Sequence, residues 1–177
     1  MAVPNEYGKA LFMLSLEENV LDRVRCDLVL VDTVLRKNPE YLKLLDTPAI
    51  AKAAKISAVD EAFSSVYYSV RNVLKILSEK HEAYSFSSVA AFYYDMYDEH
   101  NGIEHVEAVT AIAMTQPQKT ALTTKLEKMT GKRIVLENKV DPGILGGVVL
   151  RYCAKQIDGS VKARLDAFAQ TLNKLTI

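Results

Sequence analysis

The sequence predicts a two-part chain: an all-α six-helix N-terminal bundle followed by a small α+β C-terminal domain. Three observations predict it. Apolar residues recur at helical spacing up to about residue 102. Asn101-Gly102 then punctuates the chain as a turn pair. Beyond it, short segments of period two, rich in β-branched residues, alternate with helical ones. The boundary is expected after Glu104, giving domains over residues 1–104 and 105–177.

The helices follow in order. Asn5 is suited to cap a first helix running to Glu18. A second is expected from Val20 to Lys37, stopped by Asn38-Pro39, because the residue before proline avoids helical dihedrals. Pro39 and Pro48 each suit the first turn of a short helix. Further helices are expected over residues 49–57, 61–80 and 85–99, making six with short loops, as in a bundle.

In the second part, Val106, Val109, Ala111 and Ala113 fit a strand. Thr115 or Gln116, followed by Pro117, opens a helix to about residue 130, closed by Gly131. Residues 133–139 read as a second strand, with Ile134 and Leu136 opposite Val135 and Glu137. Residues 144–152 read as a third, with Gly146-Gly147 inside it. Asp158-Gly159-Ser160 turns the chain: Gly159 permits a tight turn, and Ser160 caps a last helix to about residue 175.

Of 177 residues, 49% are hydrophobic and 25% charged, the balance of a folded chain rather than a disordered one. Basic and acidic residues number 22 each, so no global pull toward nucleic acid or an anionic membrane is expected. The balance hides an asymmetry. Residues 1–104 hold 11 basic and 16 acidic residues, a net of −5, and residues 105–177 hold 11 and 6, a net of +5. Opposite signs suggest modules with different partners. Cys26 and Cys153, far apart and in no metal-ligand spacing, read as reduced thiols, with Cys153 on an apolar strand as a buried, inert one. The start MAVPNEYGKALF has neither the basic opening and apolar core of a signal peptide nor the arginines of a transit peptide. No stretch approaches the roughly 18 apolar residues of a membrane span. The run Leu28-Val29-Leu30-Val31 is broken at once by Asp32.

Two helices carry more apolar surface than a bundle position requires. A bundle helix needs one apolar stripe, a little over about 100° wide. In the first helix Tyr7, Ala10, Leu11 and Leu14 share one face, while Phe12, Met13 and Leu16 lie nearly opposite. In the fifth, Val66, Val70, Val73, Leu74 and Leu77, with Tyr67 and Ile76 at the margins, cover about half the circumference. Either both helices are central in the bundle, or a partner helix covers the second side.

Catalytic chemistry has no signal here. There is no GxxxxGK[ST] and no GxGxxG, and the glycines at 143, 146 and 147 precede a strand rather than a helix. His100 and His105, with Asp95, Asp98 and Glu99, lack metal-ligand spacing. No nucleophile, base and orienting group fall together. Tyr67-Tyr68 and Tyr93-Tyr94 lie on helices beside acidic residues, which suits packing rather than stacking on nucleic-acid bases. No enzyme, no cofactor and no metal are expected.

The C-terminal part carries a specific resemblance. Val140-Asp141-Pro142-Gly143-Ile144-Leu145-Gly146-Gly147-Val148-Val149-Leu150-Arg151, then Gln156-Ile157-Asp158-Gly159-Ser160-Val161-Lys162-Ala163-Arg164-Leu165, resembles the signature of the ATP synthase delta subunit family, whose mitochondrial branch is the oligomycin-sensitivity-conferring protein. The opening Tyr7-Gly8-Lys9-Ala10-Leu11-Phe12 is similar to that family's Y-A-K-A-L-F, and residues 118–131 match in place and character. The resemblance covers essentially the whole chain. Gly8 departs from the usual alanine, Lys80-His81-Glu82 from an asparagine-glycine-arginine, and Gly143 from a polar residue.

The resemblance implies a non-catalytic stator subunit of a rotary F-type ATP synthase, linking the peripheral stalk to the catalytic headpiece. It implies that the alpha subunit's N-terminal helix docks between the first and fifth helices; carried over by position, the residues are Tyr7, Ala10, Leu11, Leu14, Val70, Val73 and Leu77. The C-terminal domain would hold the ends of the b subunits, and Gly146, Gly147, Asp158, Gly159 and Ser160 would be turn and cap residues. Nucleic acid and direct membrane insertion are not expected. The expected location is peripheral, on the cytoplasmic face of a bacterial membrane. A generic helix-binding adaptor is the alternative reading.

Overall fold

Helix-forming segments separated by prolines and short polar breaks build the first half of the chain. The computed structural model describes residues 3–152 and 155–161. The helices are α1 (Val3–Glu17), α2 (Leu21–Lys37), α3 (Pro39–Asp46), α4 (Lys52–Ala62), α5 (Tyr68–Glu79) and α6 (Phe86–His100), with a 3₁₀ turn at Ala83–Ser85. The expected count of six is thus corrected to six α-helices plus a 3₁₀ turn. The chain divides into two compact units, Met1–Asp98 and Glu99–Ile177.

The core of the first unit is apolar and wholly buried: Val24, Leu28, Val31 and Leu35 from α2, Leu45 from α3, Val59 from α4, Val70, Leu74 and Leu77 from α5, and Phe86, Val89 and Tyr93 from α6. The break expected between residues 57 and 61 lies at residues 63–67 instead. α4 ends at Ala62, Phe63 leaves helical geometry, and α5 begins at Tyr68. The reason is tertiary. The Tyr67 backbone N–H donates to Asp27 Oδ2 at 2.7 Å, so the entry to α5 is held by a carboxylate on α2 rather than by a neighbour in sequence. The helix expected at residues 49–57 instead begins at Lys52.

The second unit is a mixed sheet with one crossover helix. Its elements are β1 (Ile103–Thr110), α7 (Gln116–Thr130), β2 (Arg133–Val140), β3 (Val148–Tyr152) and β4 (Lys155–Asp158), in sheet order β2-β1-β3-β4. β1 and β2 are parallel, as a helical crossover requires, while β1–β3 and β3–β4 are antiparallel. The alternation of β1 and β2 puts Val106, Ala108, Ile134 and Leu136 on one face, against Leu122 and Leu126 of α7. Thr115 opens α7 with a reciprocal capping box with Gln118, and Gly131 closes it.

Three expectations are corrected in this unit. β1 runs over residues 103–110, so Ala111 and Ala113 lie in the loop beyond it, where the Thr110 hydroxyl donates to the Ile112 carbonyl at 2.7 Å. Gly146 and Gly147 precede β3 rather than sitting within it. β4 was not expected; the ladder Leu150↔Ile157 supplies the partner that makes it a strand. The expected last helix falls almost wholly on residues 162–177, outside the described residues, as does the expectation for Cys153.

Candidate docking surface

α1 is held on two sides. Toward α6 it has no room: a Cβ on Gly8 would meet Phe92 Cδ1 at 2.9 Å and the Val89 carbonyl at 3.0 Å. One α1 turn on, Phe12 packs edge-on against Tyr93, ring centroids 5.8 Å apart. Buried Ser15 lies 3.0 Å from the Tyr93 hydroxyl, which also donates to the Leu21 carbonyl at 3.0 Å. These bonds satisfy polar groups where they would otherwise be costly.

Toward α5 the contact is antiparallel, with an electrostatic tie at each end. At one end the Lys80 ammonium sits 5.4 Å over the Tyr7 ring, and hydrogen bonding to Tyr7 is the main cause raising its pKa. At the other, Glu18 accepts the hydroxyls of Tyr67, at 2.8 Å, and Tyr68. Those bonds favour the neutral phenols, so Tyr67 is raised above its ordinary value and Tyr68 is pushed up to about 12.

Between these ties lies the surface that sequence periodicity singled out. Leu11, Val70 and Leu77 are buried to 2% exposure or less, and Val73 is also buried, so they belong to the bundle core. Tyr7 and Leu14 are half-buried, and Ala10 is exposed. The apolar side chains that reach solvent are Met13 and Leu16 on α1, and Tyr68 and Ile76 on α5. Tyr68 and Ile76 were not among the carried-over residues; spacing marks an apolar face but does not say which of two faces the core takes.

In the second unit the two most exposed of the described large apolar side chains stand beside one cleft. Ile112, after β1, and Leu145, before β3, are 78% and 80% exposed. They flank a cleft of about 510 Å³ lined also by Met114, Gln118 and Val148. Asn138 fixes one wall, accepting the Met114 N–H at 2.8 Å and donating to the Ala108 carbonyl and the Thr110 hydroxyl, each at 2.9 Å. The other wall rests on Gly147, at φ +87°, where an added Cβ would stand 2.6 Å from the Gly159 carbonyl. Gly159 N–H donates to the Val148 carbonyl and Val161 N–H to the Gly146 carbonyl, both at 3.0 Å, and Ser160 N–H donates to Asp158 Oδ1 at 2.8 Å. The signature segments over residues 140–151 and 156–161 thus meet and close one turn-on-turn junction. Whether Ser160 caps a helix falls outside the described residues. No helix among those described is long and apolar enough to cross a membrane.

The family described as ATP synthase delta (OSCP) subunit matches residues 3–172. ATP synthase subunit delta of Clostridioides difficile (strain 630) is 33% identical over 175 residues, covering 98% of this chain and 97% of that protein. ATP synthase subunit delta of Lactobacillus johnsonii is 33% identical over 174 residues, covering 96% and 94%. A chain of the Toxoplasma gondii mitochondrial ATP synthase hexamer, solved by cryo-EM, shares the fold at a TM-score of 0.71, with 21% identity and coverage of 97% and 98%.

Proposed function

The chain belongs to the ATP synthase delta (OSCP) subunit family, and from that premise we propose that its first unit grips the catalytic headpiece and its second the peripheral stalk. It is a non-catalytic stator subunit of the F-type ATP synthase. The reading as a generic helix-binding adaptor is set aside, because the relatives that span nearly the whole chain are ATP synthase delta subunits.

A stator must resist torque, which calls for contacts that release slowly, not for a reactive centre. A helix laid in an apolar groove gives such a contact. The occupant on the first unit is the N-terminal helix of an alpha subunit, lying along α1 and α5. The observation that carries this is the exposure of Met13 at 54% and Ile76 at 39% on two helices that are packed together and tied at both ends. Ala10, Leu14 and Val73 flank those side chains by spacing, whereas Leu11, Val70 and Leu77 support the groove from within the core.

The occupant of the second unit is the end of the b subunits, seated against Ile112 and Leu145. The basic excess of residues 105–177 favours an acidic stalk end. Two contacts in one chain add avidity. The subunit is peripheral, on the cytoplasmic face of a bacterial membrane. Two charge insertions test the assignment: Ala10→Asp and Ile76→Glu each abolish binding to purified headpiece while melting is unchanged, since a charge there is left unpaired in an apolar interface. Undiminished headpiece binding by both variants removes α1 and α5 from the docking site.

A further inference from the structure

α2 has a second apolar face that neither proposed contact uses. Its core face, Val24, Leu28, Val31 and Leu35, is no more than 3% exposed. On the other side Cys26, Val29, Leu30 and Thr33 are all exposed, with Val29 and Leu30 at 50% and 49%. They follow one another at helical spacing and form a single stripe. The sequence run 28–31 therefore divides between two sides, its ends into the core and its middle into solvent.

The rim of this stripe has a basic excess within an acidic half of the chain: Arg23, Arg25, Arg36 and Lys37 stand against Asp22, four residues before Cys26, and Asp32, which pairs with Arg36 at 2.8 Å. Arg23 and Arg25 flank it, and Lys37 continues it at the C-terminal end. Arg23 is held 5.1 Å over the Tyr67 ring and Arg25 5.0 Å over the Tyr97 ring. Each ring's hydroxyl in turn donates to a carboxylate, Glu18 and Asp22 respectively. The two guanidiniums are thus set in place by ring faces, and among the described residues no ion pair neutralises Arg23, Arg25 or Lys37. At Lys37 the stripe opens into a cleft of about 710 Å³ lined by Val34, Lys37, Tyr41, Leu44 and Phe63. Tyr41 and Phe63 meet edge to face, 6.2 Å between centroids, and the Tyr41 hydroxyl is anchored on the Ala58 carbonyl at 3.1 Å.

We infer that this face of α2 is a second docking site, taking an amphipathic helix with acidic side chains along its flanks and one large apolar side chain that enters the Tyr41–Phe63 cleft. From Cys26 to Lys37 the stripe is ~16 Å long, the span of about three turns of a partner helix. The chemistry favours a helix over an anionic bilayer. A bilayer meets the whole acidic half, 11 basic against 16 acidic residues, whereas a helix meets only the stripe and its basic rim.

Cys26 supplies the test. With Cys153 replaced by serine in the full-length chain, maleimide labelling of Cys26 is timed in the free protein and in ATP synthase reassembled with its own headpiece and stalk subunits. The expected result is rapid labelling when free and loss of labelling in the complex. Equal rates overturn the inference. Combining Arg23→Glu, Arg25→Glu and Lys37→Glu restores labelling in the complex; persistent protection overturns the acidic-helix chemistry. Phosphatidylglycerol vesicles added to the free protein leave the rate unchanged; protection by vesicles transfers the face to lipid and overturns it. A parallel probe, Met13→Cys in a chain lacking both native cysteines, reports on the α1–α5 groove. Protection at residue 13 without protection at Cys26 sinks the second site and leaves the proposed headpiece contact standing.

Discussion

Gly8→Ala sets helix propensity against packing, and the structure decides which prevails. Alanine inside a helix is favoured over glycine by about 1 kcal/mol. Against this stands the approach of α6. The new methyl would lie 2.9 Å from Phe92 Cδ1, 3.0 Å from Phe92 Cβ and 3.0 Å from the Val89 carbonyl oxygen. Phe92 is half-buried and has little freedom to step aside, and the carbonyl belongs to the α6 backbone, so α1 and α6 must separate by a few tenths of an ångström. Overpacking of this kind costs about 1–3 kcal/mol. The net is a loss of up to about 2 kcal/mol, or several degrees in melting temperature for a unit of this size. Thermal melting followed by circular dichroism measures it. Phe92→Leu in the Gly8→Ala background recovers part of the loss, and a double-mutant cycle isolates the coupling. A Gly8→Ala variant more stable than the wild type by the full propensity gain would refute the close approach of α1 and α6.

Three further perturbations probe other parts of the molecule. Glu18→Gln removes the charge that holds the Tyr68 phenol neutral, so a tyrosine ionising near pH 12 in the wild type shifts back toward 10 in a spectrophotometric titration. Because the folded-state pKa is raised, this group's contribution to stability is fully present below pH 10 and fades between pH 10 and about 12, a loss that the Glu18→Gln variant does not show. Asn138→Ala breaks the bonds to Met114, Ala108 and Thr110, costs about 1–3 kcal/mol, and speeds amide exchange at Met114; unchanged exchange there would remove Asn138 as the organiser of the loop. Gly147→Ala drives a methyl to within 2.6 Å of the Gly159 carbonyl at a positive φ, and is expected to cost more than 3 kcal/mol, read as loss of protection in β3 with the first unit still folded.

What the sequence revealed follows from how local each cause is. The two-part division, α1, α2, α7 and β2 rest on periodicity, prolines and caps within a few residues, and all were legible. The break between α4 and α5 was expected but misplaced, at residues 58–60 rather than 63–67, because the Tyr67 N–H is answered by Asp27, 40 residues away. β4 was missed for a similar reason: a four-residue edge strand is defined by its ladder to β3, not by its own pattern. The docking residues show the same limit. Periodicity found two apolar faces on α1, but burial by α5 and α6 decides that Leu11 and Phe12 turn inward and Met13 outward. Gly8 illustrates the converse. It departs from the alanine usual in the family and weakens the helix locally, yet its reason lies across the interface in Phe92.

Titration calorimetry with a synthetic peptide of the alpha subunit's N-terminal helix tests the stator junction most directly. The account predicts tight one-to-one binding to the full-length chain, abolished by Ala10→Asp and by Ile76→Glu, with a negative heat-capacity change from apolar burial. Absence of binding by the well-folded chain, or binding that both variants leave intact, would contradict it.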